Sequence, residues 1–594
     1  MVNLNTGCTI PSLGSETVFS VLIYDRHGQD IISPLLSVKE LREMGVTLHL
    51  LLHSERGEIP DVPAIYFCQP TEENLVRIGQ DFTDGLYSSY YLNFTSPISR
   101  QKMEDLAQTA LQANCQASIK KVYDQYVNFI MLGRKYVLPQ TSRADIQDTE
   151  VDVIIDSIVD SLFSVFVNLG QVPVIRCQSG NASQMVAERL DKKLRENLRD
   201  TRNSFFTGLS SDAFATGQLS FHRPLLVLLD RNIDLSSPLH HTWTYQALTH
   251  DLLNLSLNRV YLPQTENVPV GKKPKNKEYE LSNADSFWVN HKSSPFPMVA
   301  AAVETELEDY KSSEEKIKGL KSDFPATQPE DFFNDNTAIL TSAITSLPEL
   351  LKRKANIDKH MKLNCIKNRK LDVYFELEEK LMARTALEKP LLEVIRDPEM
   401  GSANDKLRLF LIFYLCATEV NPTELKEYTD ALKEAGVNLD AFAYIKRWKG
   451  LLKMTAAPSE YTGGVAKTVS MFSKLMNQGS SIVVEGVKNF VLKENKLPIT
   501  RIVDNLMELK NCEEERDFLY FDPKIIRPSE STIVNARAKT PFQDAVVFVV
   551  GGGNYMEFTN LSLYAKNKAT SSPKRLVYGC TDVVNAEQFL AQEA

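Results

Sequence analysis

Short runs of branched and aromatic residues alternate with amphipathic stretches over the first 140 residues. SVLIYD (Ser20 to Asp25), VTLHLLLH (Val46 to His53) and AIYFCQP (Ala64 to Pro70) have the apolar character of buried strands, and the stretches between them space their apolar residues as helices do. That alternation predicts βαβ units and a parallel sheet. Between the first two runs, Ser37-Val-Lys-Glu40 is spaced as a capping box that opens a helix, and Gly45 supplies the left-handed residue that closes it. A strand-like run from Tyr87 to Phe94 and a helical one from Ser99 to Ala113 continue the pattern, so a first α/β domain is expected over 1–140.

A second α/β pattern follows. From Asp148, apolar residues at Val151, Ile154, Ile155, Ile158, Leu162, Phe163 and Phe166 recur with helical period up to Gly170, and the strand VPVIRC (Val172 to Cys177) comes next. A helix from Met185, the strand PLLVLLD (Pro224 to Asp230) and a helix expected from Pro238 to Asn254 extend it. Two more buried-type strands, in DAVVFVVGGG (Asp544 to Gly553) and RLVYGC (Arg575 to Cys580), stand in a C-terminal segment of about fifty residues, too short to bury a core alone. They are expected to complete the sheet begun at Val172, making the second domain discontinuous over 141–263 and 521–594. Residues 264–520, entered through PVGKKPKNKE (Pro269 to Glu278), read as a mainly helical insertion. The expected fold class is therefore α/β, with two parallel-sheet domains and a large helical insertion in the second.

Composition narrows the functions. A chain of 594 residues exceeds what one hydrophobic core serves. Its 67 Lys and Arg against 76 Asp and Glu leave a net charge of -9, which removes the electrostatic footprint of a nucleic-acid binder, and the basic run Lys272, Lys273, Lys275, Lys277 reads as a solvated loop. The 8 cysteines lie far apart, without zinc or dithiol spacing. The opening MVNLNTGCTIPSLGSE lacks the basic and apolar regions of a signal peptide, and the longest apolar runs fall well short of the roughly 20 residues that cross a bilayer. A cytosolic protein is the expectation.

Two constellations raise the question of catalysis. Asp230, Asp234, His240, His241 and His250 cluster after a buried strand, where α/β proteins place ligands. Neither HExxH nor a zinc-type Cys/His spacing accompanies them, and a network closing the strand end explains them without a metal. The run VVFVVGGGNY offers glycines after a strand, but no GxxxxGK[ST], GxGxxG or phosphate-reaching lysine, so Gly551, Gly552 and Gly553 read as a tight strand-to-helix turn. A nucleotide- or metal-dependent enzyme using the Asp230 and Gly551 strand ends is the alternative carried forward. No cofactor is expected otherwise.

One segment is amphipathic and basic on an acidic chain. From Ala466 to Lys496, Val469, Phe472 and Met476 recur at helical spacing, as do Val483, Val487, Phe490 and Val491, with five lysines on the polar side. Such a segment can lie on an anionic membrane, cover a groove as a lid, or pack as an ordinary helical hairpin.

The stretch LLVLLDRNIDLSSPLHHTWTYQALTHDLLNLSLNRV resembles the signature of the SM (Sec/Munc) proteins, roughly D-R-x-x-D-x-x-x-P-L-x-H-x-x-T-Y-x-A-L-x-x-D-L-L. IYDRHGQDIISPLLSVKELREMGVTLHLLLH, PVIRCQSGNASQMVAERLDKKLRENLRD, LPITRIVDNLMELK, FVVGGGNYMEF and LVYGCTDVVNAEQFL extend the likeness over essentially the whole chain, and its details resemble the Sly-type branch of ER-to-Golgi and intra-Golgi traffic. The resemblance implies a three-domain arch and a non-enzymatic protein that binds syntaxin-type Qa-SNAREs and SNARE bundles and promotes their assembly for membrane fusion. An R-SNARE helix and tethering factors are further implied partners, self-association is not called for, and the implied location is cytoplasmic, peripheral to ER and Golgi membranes.

Three surfaces follow from the resemblance. An N-terminal syntaxin peptide is expected on the first domain within KVYDQYVNFIMLGRKYVL, at a pocket of Tyr123, Tyr126, Phe129, Val137 and Leu138. A SNARE-holding hairpin is expected at 335–370, with Pro348 at its hinge and Leu350, Leu351, Ile357 and Met361 as apolar anchors; a proline there kinks or starts a helix. The long loop of about 456–496 is expected to act as a lid that opens on a vesicle membrane, through Val469, Phe472, Met476, Val487 and Phe490.

Overall fold

Five parallel strands form the first sheet of the computed structural model: β1 (Ser20–Tyr24), β2 (Val46–Leu51), β3 (Ile59–Cys68), β4 (Tyr87–Phe94) and β5 (Ile119–Asp124), in the order β2-β1-β3-β4-β5. The structure describes residues 19–132, 135–137, 148–200, 205–206, 223–253, 255–263, 276–281, 285–322, 359–360, 371–383, 387, 390–417, 420–455, 496–510, 517–525, 540–569 and 572–592. β1 is buried along its whole length, and so is the second half of β3, because helices cover both faces of a parallel sheet. The Ser37 capping box is present on the helix Val38–Glu43, and Gly45 follows it at φ 87°. Among the described residues β5 is an edge strand, paired with β4 alone.

The second sheet has the order β12-β8-β9-β13-β14-β7-β6, from β6 (Ile130–Met131), β7 (Lys135–Val137), β8 (Val174–Gln178), β9 (Leu225–Asp230), β12 (Phe518–Phe521), β13 (Asp544–Val550) and β14 (Arg575–Cys580). Its centre is parallel: β13 lies between β9 and β14, so the C-terminal strands close the sheet begun after Gly170. Antiparallel strands end it on both sides, β12 on β8 and β6 on β7. β6 and β7 come from the stretch expected in the first domain, but β7 pairs with β14 and β6 with β7, covering what would otherwise be an open edge of β14. The helices Asp148–Leu169 and Ala182–Arg199 supply Ile155, Ile158, Leu162, Phe166, Val186, Leu190 and Leu194 to the core on this sheet. The Arg223 guanidinium grips both oxygens of Asp522, each at 2.8 Å, beside the end of β12.

These two sheets belong to one unit, which takes in Met1–Asp234, Lys496–Gly553 and Asn560–Val583. A second unit comprises Leu235–Asn495, Asn554–Thr559 and Val584–Ala594. Its described residues are helical apart from a ribbon of β10 (Arg259–Pro263) and β11 (Asn276–Glu280) and isolated bridges. At its centre the helix Ala403–Cys416 is buried on every side from Asp405 to Ile412; its apolar run begins at Leu409, and the charged Asp405, Lys406 and Arg408 are buried with partners of their own. The helices Leu371–Met382, Leu391–Arg396, Pro422–Glu434 and Asp440–Thr455 pack around it. The final helix, Ala586–Gln592, was expected with the second sheet; it adds Phe589 and Leu590 to this helical core instead, because its apolar face matches that core.

Candidate functional site

The DR motif after β9 closes a strand end. Asp230 donates its N–H to Gln178 Oε1 at 2.9 Å and accepts from the Asn232 N–H at 3.1 Å, capping the turn Arg231–Ile233. Burial pushes its carboxyl pKa upward, although the Asn232 N–H and the Arg231 charge work the other way. The buried Arg231 side chain donates to the carbonyls of Gly552 (3.3 Å) and Asp234 (2.6 Å). The same device stands after β1, where Asp25 caps the helix Arg26–Ile32 through the Gly28 N–H and also holds Gln69 N and Asn74 Nδ2.

The glycine loop spends its donors inside the protein. Gly551 and Gly552 both donate N–H to Thr581 Oγ1, at 3.2 and 3.0 Å, and Gly553 N–H goes to the Asp582 carbonyl at 2.7 Å. Gly551 and Gly552 have φ of 96° and 103°, a region that favours glycine, and a Cβ on Gly551 would meet the Arg231 Cβ at 2.9 Å. A phosphate cradle needs those N–H groups free. The enzyme reading therefore loses its anion site at Gly551.

The histidines of the signature tie helices together in the second unit. His241 Nδ1 lies 2.7 Å from Glu378 Oε1 and its Nε2 lies 3.0 Å from Asp405 Oδ1, while its backbone N–H donates to Glu378 Oε2 at 2.7 Å. Burial and the Arg408 guanidinium oppose protonation of this ring, but the two carboxylates outweigh them and hold its pKa above the usual histidine value. Arg408 in turn pairs with Asp251 at 2.9 Å and donates to the Leu239 carbonyl. His240 lies edge-on to Phe375 and 3.2 Å from Glu379; His250 packs against Tyr555. Among the described residues, no three His, Cys, Asp or Glu side chains converge as a metal-binding group.

The expected helix from Pro238 begins later, at Tyr245. Before it come the 3-10 turn Ser237–Leu239 and an extended piece whose backbone bonds elsewhere: Phe296 N–H donates to the Trp243 carbonyl and Tyr245 N–H to the Ser294 carbonyl. Pairing with residues 294–296 replaces the first helical turn.

Where they are described, the residues expected to line one pocket near residue 130 stand in different surroundings. Tyr123, on β5, is 39% exposed with the Lys121 ammonium over its ring. Tyr126 has φ 52° and its ring packs on Phe163 and Phe205; burial, then Asp124 and Asp160, pushes its hydroxyl pKa up to about 12. Phe129 is 7% exposed within the core of the second sheet, so it is a packing residue and not an outward-facing one. Val137 lies in β7, paired with Cys580, and Leu138 lies outside the described residues. Leu111, on the helix Arg100–Gln112 that leads into β5, is 61% exposed. Pro348, Leu350, Leu351, Ile357 and Met361 lie outside the described residues, as do Val469, Phe472, Met476, Val487 and Phe490; of the 335–370 stretch only Lys359 and His360 are described.

The Sec1 family model matches residues 20–592. The chain is 54% identical to the mouse "Sec1 family domain-containing protein 1", covering 100% of this chain and 96% of the relative, and 50% identical to the Drosophila melanogaster "Protein sly1 homolog", again over 100% and 96%. Among solved structures it is similar to the crystal structure of Sly1p in complex with an N-terminal peptide of Sed5p, with 29% identity, a TM-score of 0.74 and coverage of 97% of this chain and 91% of that one. Vps45 in complex with the Qa SNARE Tlg2 shares the fold at 21% identity and a TM-score of 0.73. With a full-length family match and relatives of this identity, the chain belongs to the Sec1 family of SM proteins.

Proposed function

We propose that the protein is an SM-type regulator of vesicle fusion that binds a syntaxin-type Qa-SNARE and SNARE bundles and promotes their assembly in ER-to-Golgi and intra-Golgi transport. The observation that carries this reading is the full-length likeness to Sly1p bound to an N-terminal peptide of Sed5p. Its action is templating and not turnover: holding SNARE helices in register removes part of the entropic cost of nucleating a multi-chain coiled coil. The internal use of the Gly551–Gly553 donors and of His241 supports a non-enzymatic role over the nucleotide alternative.

The syntaxin N-peptide docks on the first sheet's β5 side, with Tyr123 carried over from the sequence-based pocket, Leu111 added, and Tyr126, Val137 and Leu138 at its border. Support comes from the exposure of Tyr123 on β5 and of Leu111 on the preceding helix, and from the place of β5 at the end of its sheet, where a strand can be added. The 335–370 stretch holds SNARE helices, an R-SNARE included, through Leu350, Leu351, Ile357 and Met361 about Pro348. The 456–496 stretch acts as a lid that meets the vesicle membrane through Val469, Phe472, Met476, Val487 and Phe490. The working protein is a cytoplasmic monomer recruited to ER and Golgi membranes, where tethering factors meet it; no described helix is long and apolar enough to cross a membrane. The three-domain division 1–140, 141–263 with 521–594, and 264–520 follows the family organisation, adjusted for β6, β7 and the last helix.

The test is calorimetric titration of the full-length protein with the N-terminal peptide of a Golgi syntaxin and, separately, with the complete cytosolic syntaxin. Saturable binding of both supports the reading. Failure to bind either overturns it.

A further inference from the structure

We propose that Asn128 is a positioning residue for docking of the syntaxin N-peptide: its side-chain amide is seated in the crevice at the carboxyl ends of β1 and β3, and from there it holds the end of β5, the strand that carries Tyr123. This rests on the reading of the β5 side as the N-peptide surface.

Topology places the crevice. In the order β2-β1-β3-β4-β5 the run of strands reverses between β1 and β3, and open parallel sheets take their ligands outside the carboxyl ends of the strands at such a reversal. Asp25 follows β1 there and Gln69 follows β3, joined by the Gln69 N–H donating to Asp25 Oδ2 at 2.9 Å. The protein fills this place with a side chain of its own. Asn128 Oδ1 lies 2.9 Å from His27 Nε2 and accepts from Gln69 Nε2 at 3.4 Å, while its Nδ2 donates to Ser161 Oγ at 3.0 Å. The Ser161 hydroxyl in turn donates to the Ser157 carbonyl at 2.9 Å. Burial lowers the His27 pKa against the pull of the Asp25 charge, so at neutral pH the ring is uncharged and its Nε2–H donates to Asn128. Asn128 is 5% exposed and Ser161 0%. An amide held at three points inside the protein is fixed in place, because a shift leaves a buried donor or acceptor unpaired.

Asn128 stands four residues beyond the end of β5, and the residues between belong to no strand or helix. Gln125 N–H donates to the Phe94 carbonyl at 2.8 Å and Val127 N–H to the Thr95 carbonyl at 2.9 Å, so the pairing of β5 with β4 is carried on past Asp124. Between them Tyr126 has φ 52°, a conformation that a residue with a Cβ keeps only where its surroundings impose it. Its carbonyl accepts from Asn168 Nδ2, on the helix that also carries Ser161. The exit from β5 is thus held at Tyr126 by that helix and at its far end by Asn128. A peptide added to the β5 edge binds more tightly when the edge is ordered beforehand, since it then bears none of the ordering cost.

Asn128→Ala and Asn128→Asp test this together. Aspartate keeps an acceptor for His27 and Gln69 and can accept from the Ser161 hydroxyl in place of the amide bond; alanine keeps none of these bonds. The readouts on the full-length protein, at a temperature where every variant is folded, are affinity for the N-terminal peptide of a Golgi syntaxin and amide hydrogen exchange over residues 119–131, with β9 and β13 as the control region. We expect Asn128→Ala to bind the peptide about tenfold more weakly, as when roughly one molecule in ten has the edge ready, and to exchange faster over 119–131 but not in β9 and β13. Asn128→Asp recovers most of the affinity. Equal acceleration of exchange in β9 and β13 overturns the proposal, since Asn128 would then serve the fold at large. If the wild type binds the peptide and Asn128→Ala binds it equally well, this proposal alone falls. If the wild type binds no peptide, the docking reading falls and this proposal with it.

Discussion

Phe129 and Tyr123 sit six positions apart in one stretch, one buried and the other exposed, and one pair of substitutions separates packing from the docking proposed for Tyr123. Phe129 is 7% exposed and packs within the core that includes Ile155, Leu162 and Phe166. Truncating such a ring loses its transfer energy and leaves a cavity, so Phe129→Ala should cost about 3–5 kcal/mol. At 2–4 °C per kcal/mol for a domain of this size, the melting transition of the α/β unit should fall by roughly 6–20 °C. Tyr123, at 39% exposure on an edge strand, leaves no comparable cavity, and Tyr123→Ala should change stability by less than about 0.5 kcal/mol. Differential scanning calorimetry and a titration with the syntaxin N-peptide at a temperature where both variants are folded give the two readouts. The structure predicts that Phe129→Ala melts early yet binds the peptide when folded, and that Tyr123→Ala melts normally and binds more than tenfold more weakly. A Phe129→Ala variant that melts like wild type and no longer binds would put that ring in the pocket and refute the reasoning.

Three further outcomes follow from the buried networks. His241→Ala strands the Glu378 and Asp405 carboxylates beside Arg408 and should destabilise the helical unit by about 3–5 kcal/mol, read from its melting transition; a shift under a degree would contradict the network. The same group sets a pH dependence. The folded His241 pKa is raised, so its stabilisation is complete below its unfolded pKa of about 6.5 and is lost as pH rises through the folded value, whereas Asp405, whose pKa is lowered, stabilises fully above about pH 4 and loses that only as pH falls through its folded value. Unfolding scans should therefore show a decline above about pH 6.5 that His241→Gln removes; an identical slope in the variant would count against it. Gly551→Ala, at φ 96° and with a Cβ only 2.9 Å from that of Arg231, should destabilise the second sheet by about 1–3 kcal/mol, while millimolar ATP or GTP leaves the wild-type melting point unmoved. A nucleotide-induced rise would revive the enzyme alternative.

Much of the α/β framework was legible because a parallel sheet covered on both faces writes its strands as continuous apolar runs, as in Leu225–Asp230 and Asp544–Val550. The need of two C-terminal strands for neighbours located their sheet, and β13 does stand beside β9. The partners of His241 were not legible, since Glu378 and Asp405 lie 137 and 164 residues away and no local spacing encodes them. The delayed helix start at Tyr245 escaped for the same reason: backbone pairing with residues 294–296 overrides a local helix signal at Pro238. Around residue 126 the chain passes from the edge of one sheet into the core of the other, so apolar residues there change from exposed to buried without a change in composition. Asp285 gave no signal beyond its place before a short helix; its contacts with Lys359 and His360, 74 and 75 residues away, appear only in the structure.

The proposed action of this protein is to template SNARE assembly. The most direct measurement is the rate at which purified Golgi SNAREs form a four-helix bundle, followed by fluorescence energy transfer between labelled SNARE motifs, with and without stoichiometric full-length protein. The protein should speed assembly, and Tyr123→Ala should lose the acceleration when the syntaxin carries its N-terminal peptide. An assembly rate unchanged by the wild-type protein would contradict the account.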